Sequence, residues 1–127
     1  MVNQVQLVGR LGKDPEVRFT QAGTAVCTFP LATEEAWVKD GERQKRTEWH
    51  TVECWDKIGE ACGKYLAKGS LVFVSGMIRT DSWEKDGQKH WRTKVRADAV
   101  KFLDQRGAGE QRANPAPDAD QDDDIPF

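Results

Sequence analysis

A chain of 127 residues with 38% hydrophobic content suits one domain of ordinary size, and no apolar run in it approaches the roughly 18 residues of a membrane helix. Its three cysteines, Cys27, Cys54 and Cys62, are odd in number and form no C-x-x-C, which argues against a disulfide framework or zinc site and for reduced, buried thiols. The net charge of −2 hides a split: residues 1–103 carry 17 Lys and Arg against 14 Asp and Glu, and residues 104–127 carry 2 against 7. A mildly basic body with an acidic tail is a weak hint of nucleic-acid contact.

The amino terminus, Met1-Val2-Asn3-Gln4-Val5, enters a strand pattern at once, without the regions of a signal or transit peptide, so a cytoplasmic location is expected. Gln4 to Leu11 alternates Val5, Leu7, Gly9 and Leu11 against Gln4, Gln6, Val8 and Arg10, a first strand with Gly9 and Gly12 marking a bulge or bend. Gly12-Lys13-Asp14-Pro15 is turn chemistry. Glu16 to Thr20 is a short extension and Gln21-Ala22-Gly23 a second turn. A long strand from Thr24 to about Thr33 then places Ala25, Cys27, Phe29 and Leu31 on one face and leads on to Trp37. Pro30 cannot donate to a ladder, so its side of the strand is expected at an edge or bulge.

Val38 to Arg46 reads as a charged loop, with Asp40-Gly41 as the flexible tip of a hairpin. Arg46 to Trp55 is the most informative strand. Side chains alternate sides, so Thr47, Trp49, Thr51, Glu53 and Trp55 share one face, while Glu48, His50, Val52 and Cys54 share the other. A core would take Val52 and Cys54 but not two indoles set among Thr47, Thr51 and Glu53. Such a face suits flat, unpaired bases, whose rings are open once they leave a duplex.

Asp56 to Leu66 changes period, with Ile58, Cys62 and Tyr65 or Leu66 at helical spacing, Asp56 as N-cap and Gly69 as C-terminal stop. Gly59 and Gly63 each weaken this helix by about 1 kcal/mol, so packing must hold it. Ser70 to Trp83 is strand again, Asp86-Gly87 makes a turn, and Trp91 to Leu103 returns as the second arm of a basic hairpin. Trp91 is left open between extending the aromatic platform and packing under that hairpin. Five strands with one helix between the third and fourth is the plan of the OB-fold, an all-β Greek-key barrel used mainly for oligonucleotides and oligosaccharides, and order alone leaves other small barrels open.

The stretches VGRLGKDPEVRFTQAGTAVCTFPLATEEAW and RTEWHTVECWDKIGEACGKYLAKGSLVFVSGMIRT, with the terminal DDDIPF, resemble those of bacterial single-stranded-DNA-binding proteins. The resemblance implies an OB-fold domain over residues 1–103 that binds and protects single-stranded DNA during replication, recombination and repair, without sequence preference or catalysis. By matching position, Trp37, Trp49, Trp55 and Trp83 would stack bases, Trp55 standing where relatives often carry Phe. Arg18, Lys57, Lys68 and Arg79 would contact phosphates. His50 would lie at a subunit interface of a homotetramer in the bacterial cytoplasm.

Residues 104–121 are rich in Gly, Gln, Asp and Pro and too poor in apolar groups to offset ordering entropy, so a disordered linker is expected. At its end, Asp122, Asp123 and Asp124 precede Ile125, Pro126 and Phe127, an acidic run with an apolar anchor. In the family resembled, this tip recruits replication, recombination and repair enzymes. Two other readings are weaker. A carbohydrate-binding barrel fits the tryptophans but not the basic loops, and an enzyme would need converging carboxylates, a nucleophile set or metal ligands. His50, Cys54 and His90 have no convincing ligand spacing, and no cofactor is called for.

Overall fold

Alternation builds the wall of the molecule. The structure is a computed structural model and describes residues 1–104. Along them run β1 (Val5–Leu11), β2 (Glu16–Phe19), β3 (Ala25–Lys39), β4 (Glu42–Trp55), α1 (Asp56–Tyr65), β5 (Leu71–Lys85) and β6 (Gln88–Phe102). Ala25, Cys27, Phe29 and Leu31 of β3, Val52 and Cys54 of β4, and Val72 and Val74 of β5 all point inward and are fully or almost fully buried. Leu11, Val95 and Ala97 complete that core, and Cys62 and Leu66 cap it from the helix.

The strands pair in the order β1-β5-β6-β4-β3, and β1 closes the ring by leaving β5 for β3 through Arg10↔Ala32 and Leu11↔Leu31. One parallel seam, Val52↔Val95 and Glu53↔Arg96, joins β4 to β6. The short β2 lies outside the ring, along the first residues of β3 from Glu16↔Thr28 to Phe19↔Ala25. With that extension set aside, five strands close into a barrel, and the helix falls between the third and fourth of them, as the order of elements implied. Pro30 sits where its missing N–H costs nothing. The β2 ladder stops at Thr28, the β1 ladder starts at Leu31, and the Pro30 carbonyl accepts from the Gly12 N–H at 3.0 Å.

The expected loop from Val38 to Arg46 is ladder almost throughout: β3 and β4 stay paired out to Lys39↔Glu42. Only Asp40 and Gly41 turn, with φ of 53° and 78°, the two positive angles of a type I′ turn that suits strand twist. Asp86 and Gly87 repeat it, φ 55° and 76°, at the tip of β5 and β6. The charges that suggest a loop are the exposed side chains of two ribbons that run past the barrel.

The helix starts and stops differently from expectation. Trp55 holds the N-cap position without a side-chain cap, and Asp56 is the first helical residue. The Asp56 φ of 60° is a left-handed value that Asp tolerates better than most residues, and it makes the sharp strand-to-helix junction. At the other end the Leu66 N–H gives the last helical bond to the Cys62 carbonyl at 3.0 Å. Gly69 lies beyond the helix and donates to the Leu11 carbonyl at 2.8 Å. It tethers the connection to β1 and does not stop α1.

The two helical glycines have a packing role. A Cβ on Gly59 would stand 2.6 Å from the Cys54 carbonyl oxygen and 3.3 Å from the Cys27 nitrogen, and one on Gly63 would strike the Val17 side chain. At Gly59, hydrogen in place of a methyl lets α1 lie directly on the backbone of the wall. All three cysteines are free and buried, with Cys54 Sγ and Cys62 Sγ 3.9 Å apart between strand and helix. Burial pushes the Cys27 thiol up to about 11, and the contact with Cys62 together with burial raises that of Cys54.

Candidate functional site

The two faces of β4 separate as its alternation requires. Val52 and Cys54 are sealed in the core, whereas Trp49 is 59% exposed. What holds Trp49 in place is an absence. The edge of its ring lies where a side chain at position 12 would be, with Cη2 2.8 Å from a would-be Cβ on Gly12. An indole supported from beneath and open above has already lost part of the rotamer freedom that stacking would cost.

Trp55 shares that face but is half-buried. Its Nε1–H donates to Glu53 Oε1 at 2.8 Å, and the Arg96 guanidinium lies 4.7 Å from the ring centre. Glu53 in turn accepts from Lys94 Nζ at 2.7 Å, and Lys94 reaches Asp81 at 2.6 Å. Burial works to raise the Glu53 carboxyl, but the bonds from Lys94 and Trp55 outweigh it and hold it below the ordinary value. Lys94 is raised in the complementary sense by Asp81 and Glu53. Trp55 is thus an oriented ring, fixed at its N–H edge by an ion chain that crosses from β4 to β6 and β5.

Strand register decides which of the other candidates join these two. Arg18 pairs with Val26, and Val26 with Trp55, so Arg18 stands on the Trp55 face, two strand spacings or roughly 10 Å away. Arg79 pairs with Lys94 on the continuation of the same face across β5 and β6. Lys57, in the first turn of α1, and Lys68, in the connection to β5, are both exposed at the helix end of the barrel. The Lys68 backbone N–H donates to Asp14 Oδ1 at 2.8 Å, which ties the connection before β5 to the turn after β1.

Trp37 and Trp83 stand on the two ribbons, 44% and 45% exposed. Trp37 pairs with Gln44, so alternation puts it on the opposite side of its ribbon from Trp49. Trp83 stacks on His90 across the hairpin, centroids 5.8 Å apart and planes at 23°. Trp91 is 64% exposed with Lys89 Nζ 5.9 Å from its ring centre, which excludes packing under the hairpin. It pairs with Ser82, on the face away from Trp83. His50 is half-buried and hydrogen-bonded to Thr33 through Nε2 at 2.9 Å. The acidic tip, Asp122 to Phe127, lies outside the described residues.

Sequence reasoning missed Glu53, Lys94 and Arg96 as partners of Trp55. Glu53 lies two residues away on the Trp55 face, whereas Lys94 and Arg96 arrive only across the parallel seam between β4 and β6, and no local pattern announces a pairing across some 40 residues of chain. Among the described residues no His, Cys, Asp and Glu group could hold a metal ion, and no helix is long and apolar enough to cross a membrane.

A closed five-stranded barrel with its helix between the third and fourth strands, bearing open indoles and cations on its outer wall, is an OB-fold of the ligand-binding kind. The chain matches the single-strand binding protein family model over residues 2–103, and it belongs to that family. It is 44% identical over 110 residues to a single-stranded DNA-binding protein of Xylella fastidiosa, covering 85% of this chain and 67% of that one. Among solved structures, a Plasmodium falciparum SSB in complex with ssDNA superposes with a TM-score of 0.75 at 32% identity, over 82% of this chain and 96% of that one. A deletion mutant of the Thermus aquaticus single-stranded DNA binding protein superposes with a TM-score of 0.73 at 36% identity, over 84% of this chain and 52% of that one.

Proposed function

We propose that this chain binds and protects single-stranded DNA without sequence preference during replication, recombination and repair, and that it has no catalytic role. The observation that carries the reading is the supported, open indole of Trp49 on the same strand face as the oriented Trp55, on a wall shared with Arg18 and Arg79. Trp83 extends the stacking surface along the β5–β6 ribbon, Trp37 offers a further ring on the other side of the β3–β4 ribbon to a strand that wraps around it, and Lys57 and Lys68 extend the cationic path around the helix end. Stacking is indifferent to base identity, and Lys and Arg follow phosphates whatever the sequence.

Titration of intrinsic Trp fluorescence tests this reading. Poly(dT) should quench deeply, poly(U) less, and duplex DNA and oligosaccharide little, with the poly(dT) affinity falling as salt releases condensed counterions. Equal response to an oligosaccharide would transfer the site to the carbohydrate reading.

His50 is proposed at a contact between subunits of a homotetramer, and a native mass of a single chain would refute that assembly. The tip from Asp122 to Phe127 is proposed to recruit genome-maintenance enzymes, its acidic run and terminal Phe offering charge plus an apolar anchor. Removing Phe127 should leave poly(dT) affinity unchanged while DNA-processing enzymes no longer co-purify with the DNA-bound protein. Their undiminished capture would assign recruitment elsewhere.

A further inference from the structure

Arg96 differs from every cation around it. Lys94, two residues earlier on the same face of β6, is committed to Glu53 at 2.7 Å and Asp81 at 2.6 Å. Arg96 is half-buried, yet among the described residues its guanidinium makes no ion pair and no hydrogen bond, and its contact is with the ring of Trp55 at 4.7 Å. A half-buried arginine whose donors go unused is uncommon, because a guanidinium removed from water normally has a partner.

The surroundings fit an anion. Arg96 and Arg79 line one cleft of about 220 Å³ with Met77, Ala97 and Asp98. Asp98 is the single carboxylate in that lining and forms no ion pair with either arginine among the described residues. Two cations therefore face one anion, in a cleft that opens beside a stacking ring. Arg96 also stands on the seam, paired with Glu53 and Met77, where three strands fix its backbone.

We propose that Arg96 is a phosphate-binding residue of the Trp55 nucleotide site, a deepening that rests on the reading above. In the free protein its flat guanidinium covers the indole. When a base takes the ring, the guanidinium yields that face and turns its in-plane N–H fork onto the neighbouring backbone phosphate, with Arg79 on the far side of the cleft. Arginine suits both positions, since its plane stacks on an aromatic ring and its edge presents parallel donors to two phosphate oxygens. Lysine could supply the charge but not the stacked resting state. Lys94 cannot take the role, because Glu53 and Asp81 already neutralise it.

The test is the salt dependence of poly(dT) binding in the full chain. Arg96→Gln should lower the slope of log affinity against log salt by about 0.7, the share of one phosphate on a single strand, and weaken binding several-fold at low salt. Arg96→Lys should restore the slope while leaving the affinity below that of the unaltered chain. Loss of Trp55 packing alone would shift affinity without moving the slope, so an unchanged slope in Arg96→Gln overturns the proposal, as does an Arg96→Lys slope equal to that of Arg96→Gln. An unaltered chain that ignores poly(dT) overturns the underlying reading and this proposal with it.

Discussion

Gly59→Ala should destabilise the barrel by about 2 kcal/mol, although alanine is the better helix former by about 1 kcal/mol. The added methyl would stand 2.6 Å from the Cys54 carbonyl oxygen and 3.3 Å from the Cys27 nitrogen. Both obstacles are backbone, locked in the β3–β4 ladder. Neither can turn aside as a side chain could, so α1 must lift from the wall and loosen Cys62 and Leu66 from the core. Overpacking of this kind costs about 1 to 3 kcal/mol and occasionally more, and a loss of 2 kcal/mol in a domain of this size lowers the melting midpoint by about 10 °C. Gly63→Ala is the control. Its methyl meets only the Val17 side chain, which is 38% exposed and free to yield, so the propensity gain survives and the midpoint should hold or rise. Thermal melts of both variants at one protein concentration decide the matter, and equal midpoints would show that α1 does not need direct contact with the wall.

Trp49→Ala should weaken poly(dT) binding by about 1 to 3 kcal/mol, the range for one base stacked on one aromatic ring, or about five- to 150-fold. The fold should survive, because the ring is 59% exposed and rests on Gly12 from outside the core. Affinity and melting midpoint measured on the same preparation separate the two roles. A chain that melts early would make Trp49 a structural residue, and a stable chain with undiminished affinity would remove it from the binding surface.

How much of this was legible in the residues follows from how far apart the partners lie. The two faces of β4 could be read directly, because Val52 and Cys54 alternate with Trp49 and Trp55 within one short stretch. The hairpin tips could be read too, since Asp40-Gly41 and Asp86-Gly87 carry their own turn chemistry. The charged run from Val38 to Arg46 misled, because on a ribbon exposed on both sides nothing distinguishes strand from loop by polarity. Asp56 misled for a different reason: it has the chemistry of a cap, but a tight junction with β4 needed it one position later with a left-handed backbone. The setting of Trp55 was illegible. Glu53 lies two residues away on the same face, but Lys94 and Arg96, and Asp81 through Lys94, reach it only where β6 meets β4, and that closure depends on the whole chain.

From Thr33 to Lys39 and from Met77 to Lys85 each strand has a single hydrogen-bonded neighbour, and a lone two-stranded hairpin is marginally stable in water. Protection of backbone amides against deuterium should therefore grade from firm where the strands leave the barrel to slight at Asp40 and Asp86. A polymer laid across both ribbons would make the gradient shallower, so the protein's grip and its local rigidity would be gained together.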